Sequence, residues 1–145
     1  MTETNFRPNS LTFEEGLKRI HEANKKLDFD PNKKIVTSRE KVAEELRDAL
    51  RTDNIPDGFI KWQLPLAMAK PTQLFISVGL PGTKVPSHSH DDGAGIRFIA
   101  SGSVIYDGQE LTAGDWMYIP KGAEYSIEVG KFGATMFYCY ECCCA

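Results

Sequence analysis

Two of the three histidines, His88 and His90, stand one residue apart in an extended stretch of the chain. Side chains at positions i and i+2 of a strand point to the same face, so the two imidazoles can converge on one point. Imidazole nitrogens suit iron, zinc, manganese, nickel and copper. The pair therefore predicts a divalent metal site, while a plain role as two hydrogen-bonded polar residues stays open.

The sequence around this pair resembles the two signature motifs of the cupin superfamily, and within it the pattern is most similar to the ChrR-like cupins. The matching residues are Gly82, His88, His90 and Gly102 in the first motif and Gly114, Pro120 and Gly122 in the second. The resemblance implies a mainly β fold, a single double-stranded β-helix or jelly-roll barrel. It also implies a homodimer and, for an enzyme, dioxygenase chemistry at a non-heme metal.

The match to the motifs is incomplete in its metal ligands. The resemblance implies two His and a Glu from the first motif and a His from the second, but Gly95 stands at the Glu position and Tyr125 at the second His position. A mononuclear site needs three or four protein donors. The candidates for a third donor are Tyr125, Asp91, Asp92 and Glu124. Tyr125 can equally be a hydrogen-bond donor in a metal-free pocket, because a phenol ionises only near a pKa of about 10.

Arg97 is the other residue whose type suggests chemistry. If strand alternation continues unbroken from Gly95, Arg97 and Ile99 face inward, where a planar guanidinium suits a carboxylate or phosphate. A bulge at Gly93–Gly95 would instead leave Arg97 in solvent, and three small residues in a row favour that bulge. We therefore expect Arg97 in solvent and keep the inward carboxylate clamp as the alternative. In an enzyme, Tyr125 and Arg97 are the candidate catalytic residues.

Two helices and a series of strands must position these residues. Thr12 with Glu15 forms a capping-box pattern ahead of a helix to about Leu27, and Thr37 with Glu40 repeats it ahead of a second helix that stops at 53–54. From residue 59 the apolar period is two, which predicts strands. The predicted strands are 59–62, 74–78, 96–99, 103–106, 116–119, 125–129 and 134–140. Trp116, Tyr118, Tyr106, Tyr138 and Tyr140 are expected in the core or the pocket wall.

The domain organisation follows from these elements. We expect a helical extension at 1–58, packed on the barrel or at a dimer seam, a barrel at 59–140 and a cysteine-rich tail at 141–145. The net charge of −3 gives no drive toward nucleic acid or an anionic membrane. We expect neither of these partners, no secretory signal and no membrane span, and therefore a cytoplasmic protein.

All four cysteines, Cys139, Cys142, Cys143 and Cys144, lie near the end of the chain. They could close only very short loops, so they do not form a disulfide framework. A reactive thiol tail is the favoured interpretation, ahead of metal capture by soft thiolates and of lipidation.

Three functions remain open from the sequence. The leading one is a barrel that binds a small anionic molecule, with an atypical divalent metal at His88 and His90 and chemistry of the non-heme dioxygenase type. The second is a non-catalytic ligand-binding or regulatory protein. The third is a barrel that carries a thiol-rich, metal-binding or reactive tail.

Overall fold

The computed structural model describes residues 11–52, 57, 60–68, 73–91 and 93–141. Within these residues it has two helices near the N-terminus followed by a mainly antiparallel sheet, so the predicted mainly β fold with two N-terminal helices is confirmed. The chain forms two compact units. A helical unit ends at Asp30 and resumes over Lys41–Ala67, and a strand unit holds Pro31–Glu40 and the residues from Met68 onward.

The helical unit contains α1 (Phe13–Lys26) and α2 (Lys41–Ala49). The predicted capping box begins α1: the Glu15 amide donates to the Thr12 hydroxyl at 3.2 Å, and the Thr12 amide donates to the Glu15 carboxylate at 2.7 Å. Helix α1 buries Ile20 and α2 buries Leu46, as their apolar spacing predicts. Among the described residues, no helix has the length and hydropathy that a membrane span requires.

Two local predictions in this part of the chain were wrong. Thr37 does not cap α2, because it lies in a short strand whose partner is Met117. The segment 59–62 is not a strand within its described residues, 60–62. Trp62 forms an isolated bridge with Arg51, and the chain there pairs only with the few residues that follow α2. Phe59 and the predicted stop at 53–54 lie outside the described residues.

The strand unit contains seven strands in its described residues. They are β1 (Val36–Thr37), β2 (Gln73–Gly79), β3 (Lys84–His88), β4 (Gly95–Tyr106), β5 (Gln109–Thr112), β6 (Trp116–Ile119) and β7 (Tyr125–Tyr140). The sheet order is β1-β6-β4-β7-β2, with β3 on β7 and β5 on β4. Residues 31–40, which the sequence assigns to the helical extension, join this unit because β1 pairs with β6. How the helical unit packs on the barrel stays a prediction.

The two longest strands organise the barrel. Strand β7 pairs with β3 near its start and with β2 near its end, so this one strand connects β3 and β2 within the sheet. Strand β4 joins the predicted strands 96–99 and 103–106 into one, with register shifts between Ile99 and Ser101 and between Gly102 and Val104. Such irregularities bend a strand. The core between them is apolar and includes Ile99, Val104, Leu111, Met117, Ile119, Ile127, Val129 and Met136.

Candidate functional site

Arg97 faces the barrel interior. Its side chain is only 8% exposed, and β4 pairs regularly with β6 and β7 from Gly95 to Phe98. The prediction that a bulge at Gly93–Gly95 leaves Arg97 in solvent was therefore wrong. The register shifts of β4 come only after Ile99, which is beyond Arg97. Strand alternation from Gly95 carries Arg97 inward, as in the alternative considered from the sequence.

The guanidinium of Arg97 is held by neutral groups. Its Nη2 donates to the hydroxyls of Tyr140 at 3.0 Å and Tyr125 at 3.3 Å, and Nη1 lies 3.5 Å from the sulfur of Met136. Its Cζ lies 4.6 Å from the ring centroid of Tyr138, a cation–π contact. Nε is buried and has no hydrogen-bond partner among the described residues. A permanently charged group is thus buried against phenols, a thioether and an aromatic face.

Gly95 explains why the Tyr140 hydroxyl can reach this position. Gly95 and Tyr140 are cross-strand partners on β4 and β7, and a Cβ at position 95 would overlap the Tyr140 ring. Without that Cβ, the ring lies across the neighbouring strand and extends toward Arg97, one inward position further along β4. Tyr140 is almost fully buried as a result.

Tyr125 joins the polar groups of the site. Its hydroxyl lies 3.2 Å from Nε2 of His90 and 3.2 Å from the Tyr140 hydroxyl, in addition to its bond from Arg97. Burial raises the pKa of the Tyr125 phenol, and the opposing effect of the Arg97 guanidinium does not cancel this rise. Tyr125 therefore stays protonated at neutral pH and serves as a hydrogen-bond donor.

His88 and His90 both lie next to Tyr125. His88 ends β3 opposite Tyr125, with ring centroids 4.6 Å apart, and its Nδ1 lies 2.8 Å from the carbonyl oxygen of Pro86. His90 follows the strand and is buried, with its ring 4.5 Å from that of Tyr140. The two imidazole centroids are 5.1 Å apart and nearly perpendicular. The four site residues predicted from the sequence thus lie in one cluster.

The described residues do not fit a complete metal site. No group of three or more His, Cys, Asp or Glu side chains close enough to share an ion occurs among them. The carboxylates of Asp91 and Glu124 are on exposed residues and accept hydrogen bonds from Ser89 and Ser87, each at 2.8 Å. Asp92 lies outside the described residues. A protonated Tyr125 beside a guanidinium is also a poor ligand for a cation.

Sequence patterns did not identify several residues that lie near Arg97 or next to its contacts. The contact with Met136 and the position of Phe75, whose ring lies 5.6 Å from that of Tyr138, depend on the pairing of β7 with its neighbours. The hydroxyl of Ser77 is buried and has no hydrogen-bond partner among the described residues. Strand alternation predicts that Phe75 and Ser77 share one face of β2. That this face is the one on which Arg97 lies follows only from the register of β7 with β2 and with β4.

The thiol of Cys139 lies within β7 rather than in the tail, opposite Leu74 and Ile96. Burial raises its pKa, which disfavours the reactive thiolate. The predictions for Cys142, Cys143 and Cys144 fall outside the described residues.

No family model matches the chain, and no curated protein matches it. Solved structures do. A cupin protein from Bacteroides fragilis is similar at 30% identity, covering 53% of this chain and 67% of that chain, with a TM-score of 0.41. A protein of unknown function with a cupin-like fold from Ralstonia eutropha is similar at 23% identity, covering 48% and 46% of the two chains, with a TM-score of 0.44. The strand unit has a cupin fold.

A further similar structure is that of Rhodobacter sphaeroides SigE in complex with the anti-sigma ChrR, at 16% identity, 52% coverage of this chain, 41% of that chain and a TM-score of 0.45. The match spans less than half of the Ralstonia and Rhodobacter chains. Similarity at this level describes the fold alone. What the cupin barrel of this chain binds must be inferred from its own side chains.

Proposed function

We propose that the cupin barrel binds a small carboxylate-bearing molecule, with Arg97 as its anion contact. The single observation that carries this proposal is the burial of a guanidinium that has no carboxylate among its contacts in the described residues. A buried charge without a partner of opposite sign costs several kcal/mol. A bound anion would offset that cost, and the planar fork of Arg matches the two oxygens of a carboxylate.

The surrounding groups have distinct roles in this proposal. The hydroxyls of Tyr125 and Tyr140 fix the orientation of Nη2 and leave the buried Nε as a donor in need of an acceptor. The hydroxyl of Tyr125 lies 3.2 Å from both His90 Nε2 and the Tyr140 hydroxyl. Its hydrogen is therefore not tied to one partner and can rotate toward a ligand oxygen. The rings around Arg97 exclude water, which strengthens its attraction for an anion.

A metal-dependent function of the dioxygenase type is the alternative. His88 and His90 would hold the metal, and iron, zinc, manganese, nickel or copper would supply an open position for substrate. The described residues bring no third His, Cys, Asp or Glu side chain close enough to share an ion with these two imidazoles, so a third ligand would have to come from elsewhere. We therefore favour a metal-free binding site, and we derive no reaction step from a metal.

Titration calorimetry with acetate and with phosphate tests the proposed function. We expect wild-type protein to bind acetate. Arg97→Met should lose that binding, and Arg97→Lys should weaken it at least about tenfold because a point charge replaces the fork. Arg47→Met, which removes a half-exposed Arg from α2, is the matched control and should bind normally. Acetate binding that survives Arg97→Met would reject the proposal, and tighter binding of phosphate would reject the carboxylate assignment.

A further inference from the structure

A row of aromatic side chains leads from solvent to Arg97. On the inner face of the sheet, Arg97 of β4 lies opposite Tyr138 of β7, and Tyr138 lies opposite Phe75 of β2. The guanidinium carbon is 4.6 Å from the Tyr138 centroid, and the Tyr138 and Phe75 rings stack at 5.6 Å with 29° between their planes. Arg97 is buried whereas Tyr138 and Phe75 are half-buried, so the exposed end of the row is aromatic.

The inner face beside this row is apolar. Met136 and Ile99 occupy the next inward positions on β7 and β4, and Met117 lies opposite Arg97 on β6. All three are buried. A ligand whose carboxylate reached Arg97 would therefore have its body against rings and aliphatic or thioether groups. A polar body would lose its hydration there without compensation.

Charge limits the ligand further. Among the described buried residues, Arg97 is the only Arg or Lys. A second carboxylate on the same ligand would be buried without a second guanidinium or ammonium group as its partner, at a cost of several kcal/mol. A ligand with one carboxylate therefore matches the single buried guanidinium of the described residues.

We infer that the ligand is a planar monocarboxylate, an aromatic or conjugated acid whose carboxylate meets Arg97 and whose flat body lies against Tyr138 and Phe75. This inference rests on the proposed carboxylate site. A stacked planar group gains about 0.5–1.5 kcal/mol beyond its buried area. That gain corresponds to a roughly 2- to 10-fold tighter Kd than for a saturated acid of the same size.

Benzoate and cyclohexanecarboxylate test this inference, since they share charge and ring size and differ in planarity. Titration of the full-length wild-type protein should give a roughly 2- to 10-fold tighter Kd for benzoate. Phe75→Leu should abolish the difference, because it removes the ring that stacks on Tyr138 at 5.6 Å. Phe132→Leu makes the same change at an exposed phenylalanine and should preserve the preference for benzoate.

The outcomes separate this inference from the proposed function. If both ring acids bind in an Arg97-dependent way with equal affinity, or cyclohexanecarboxylate binds tighter, planarity is not recognised and the inference is overturned while the carboxylate site stands. A benzoate preference that persists in Phe75→Leu also overturns it. If acetate and both ring acids fail to bind wild-type protein, the proposed function itself is rejected.

Discussion

The hydroxyl of Tyr140 lies 3.0 Å from Nη2 of Arg97, and the backbone opposite Tyr140 determines this contact. Tyr140 pairs with Gly95 rather than with Arg97, so its ring must cross over position 95 to reach the guanidinium. Only a residue without Cβ leaves that path open. The glycine at position 95 is therefore part of the site, although it contributes no functional group.

Gly95→Ala should disturb the site through Tyr140. The new Cβ overlaps the Tyr140 ring, and overpacking of this kind typically costs about 1–3 kcal/mol of unfolding free energy. Urea unfolding measures the loss. The same substitution in a Tyr140→Leu background should cost less, because the ring it displaces is gone. An equal cost in both backgrounds would show that the two residues are not coupled.

Asp115 should make the strand unit less stable as the pH falls into the acid range. Burial alone would raise the pKa of Asp115, but hydrogen bonds from the Thr112 amide at 2.9 Å and from Arg39 and Ser38 at 2.8 Å lower it below its usual value. A lowered folded-state pKa stabilises the fold above the unfolded-state pKa, and this contribution is lost as the pH falls through the folded-state value.

Urea unfolding from neutral pH to below about pH 4 tests this dependence. The difference in unfolding free energy between wild-type protein and Asp115→Asn should be largest near neutral pH and should shrink as the solution is acidified. Glu44→Gln removes an exposed carboxylate from α2 and should give a small difference. A penalty for Asp115→Asn that stays constant down to the lowest pH would contradict this account.

Metal content separates the proposed site from its metal-dependent alternative. We expect purified protein to hold less than one equivalent of iron, zinc, manganese, nickel or copper by elemental analysis, and its acetate affinity to be insensitive to chelators. One equivalent that is lost in the His88→Ala, His90→Ala double variant would establish the metal site instead. Metal that is lost only on deletion of residues 142–145 would belong to the cysteine tail.

Strand β2 offers a surface for the homodimer expected from the sequence. Leu74, Ile76 and Val78 alternate along it and are 64%, 75% and 72% exposed, and in the described sheet β2 pairs with β7 alone. An apolar, uncharged edge strand of this kind promotes association. Sedimentation should show a dimer for wild-type protein and for Gln73→Lys, a change at an exposed polar site, but a monomer for Ile76→Lys. A monomeric wild type would contradict the prediction.

Much of the fold followed from local sequence patterns. The capping box of α1 and most strands of the barrel were predictable because turn residues and alternation act over a few positions. The cluster of His88, His90 and Tyr125 was predictable for the same reason, through motif spacing. The orientation of Arg97 was not, since the sequence favoured a bulge at Gly93–Gly95, and the actual register shifts follow Ile99. Whether a strand bulges depends on partner strands distant in the sequence.

The partners of Arg97 were unpredictable on the same grounds. Tyr140 and Met136 are about 40 residues away along the chain, as shown by separations of 43 and 39. Their contact with the guanidinium depends on the exact register between β4 and β7, and a shift of one residue would turn both side chains outward. No local pattern contains that information.

The most direct test is a comparison of unfolding free energies for wild-type protein and Arg97→Met, each with and without saturating acetate. Without acetate the variant should be more stable by about 1–4 kcal/mol, because an apolar side chain replaces a buried charge that has no carboxylate among its described contacts. Acetate at about 100 times its Kd should stabilise wild-type protein by about 2.7 kcal/mol and leave the variant unchanged. An Arg97→Met protein that is less stable than wild type without acetate, and that acetate stabilises equally, would contradict the account.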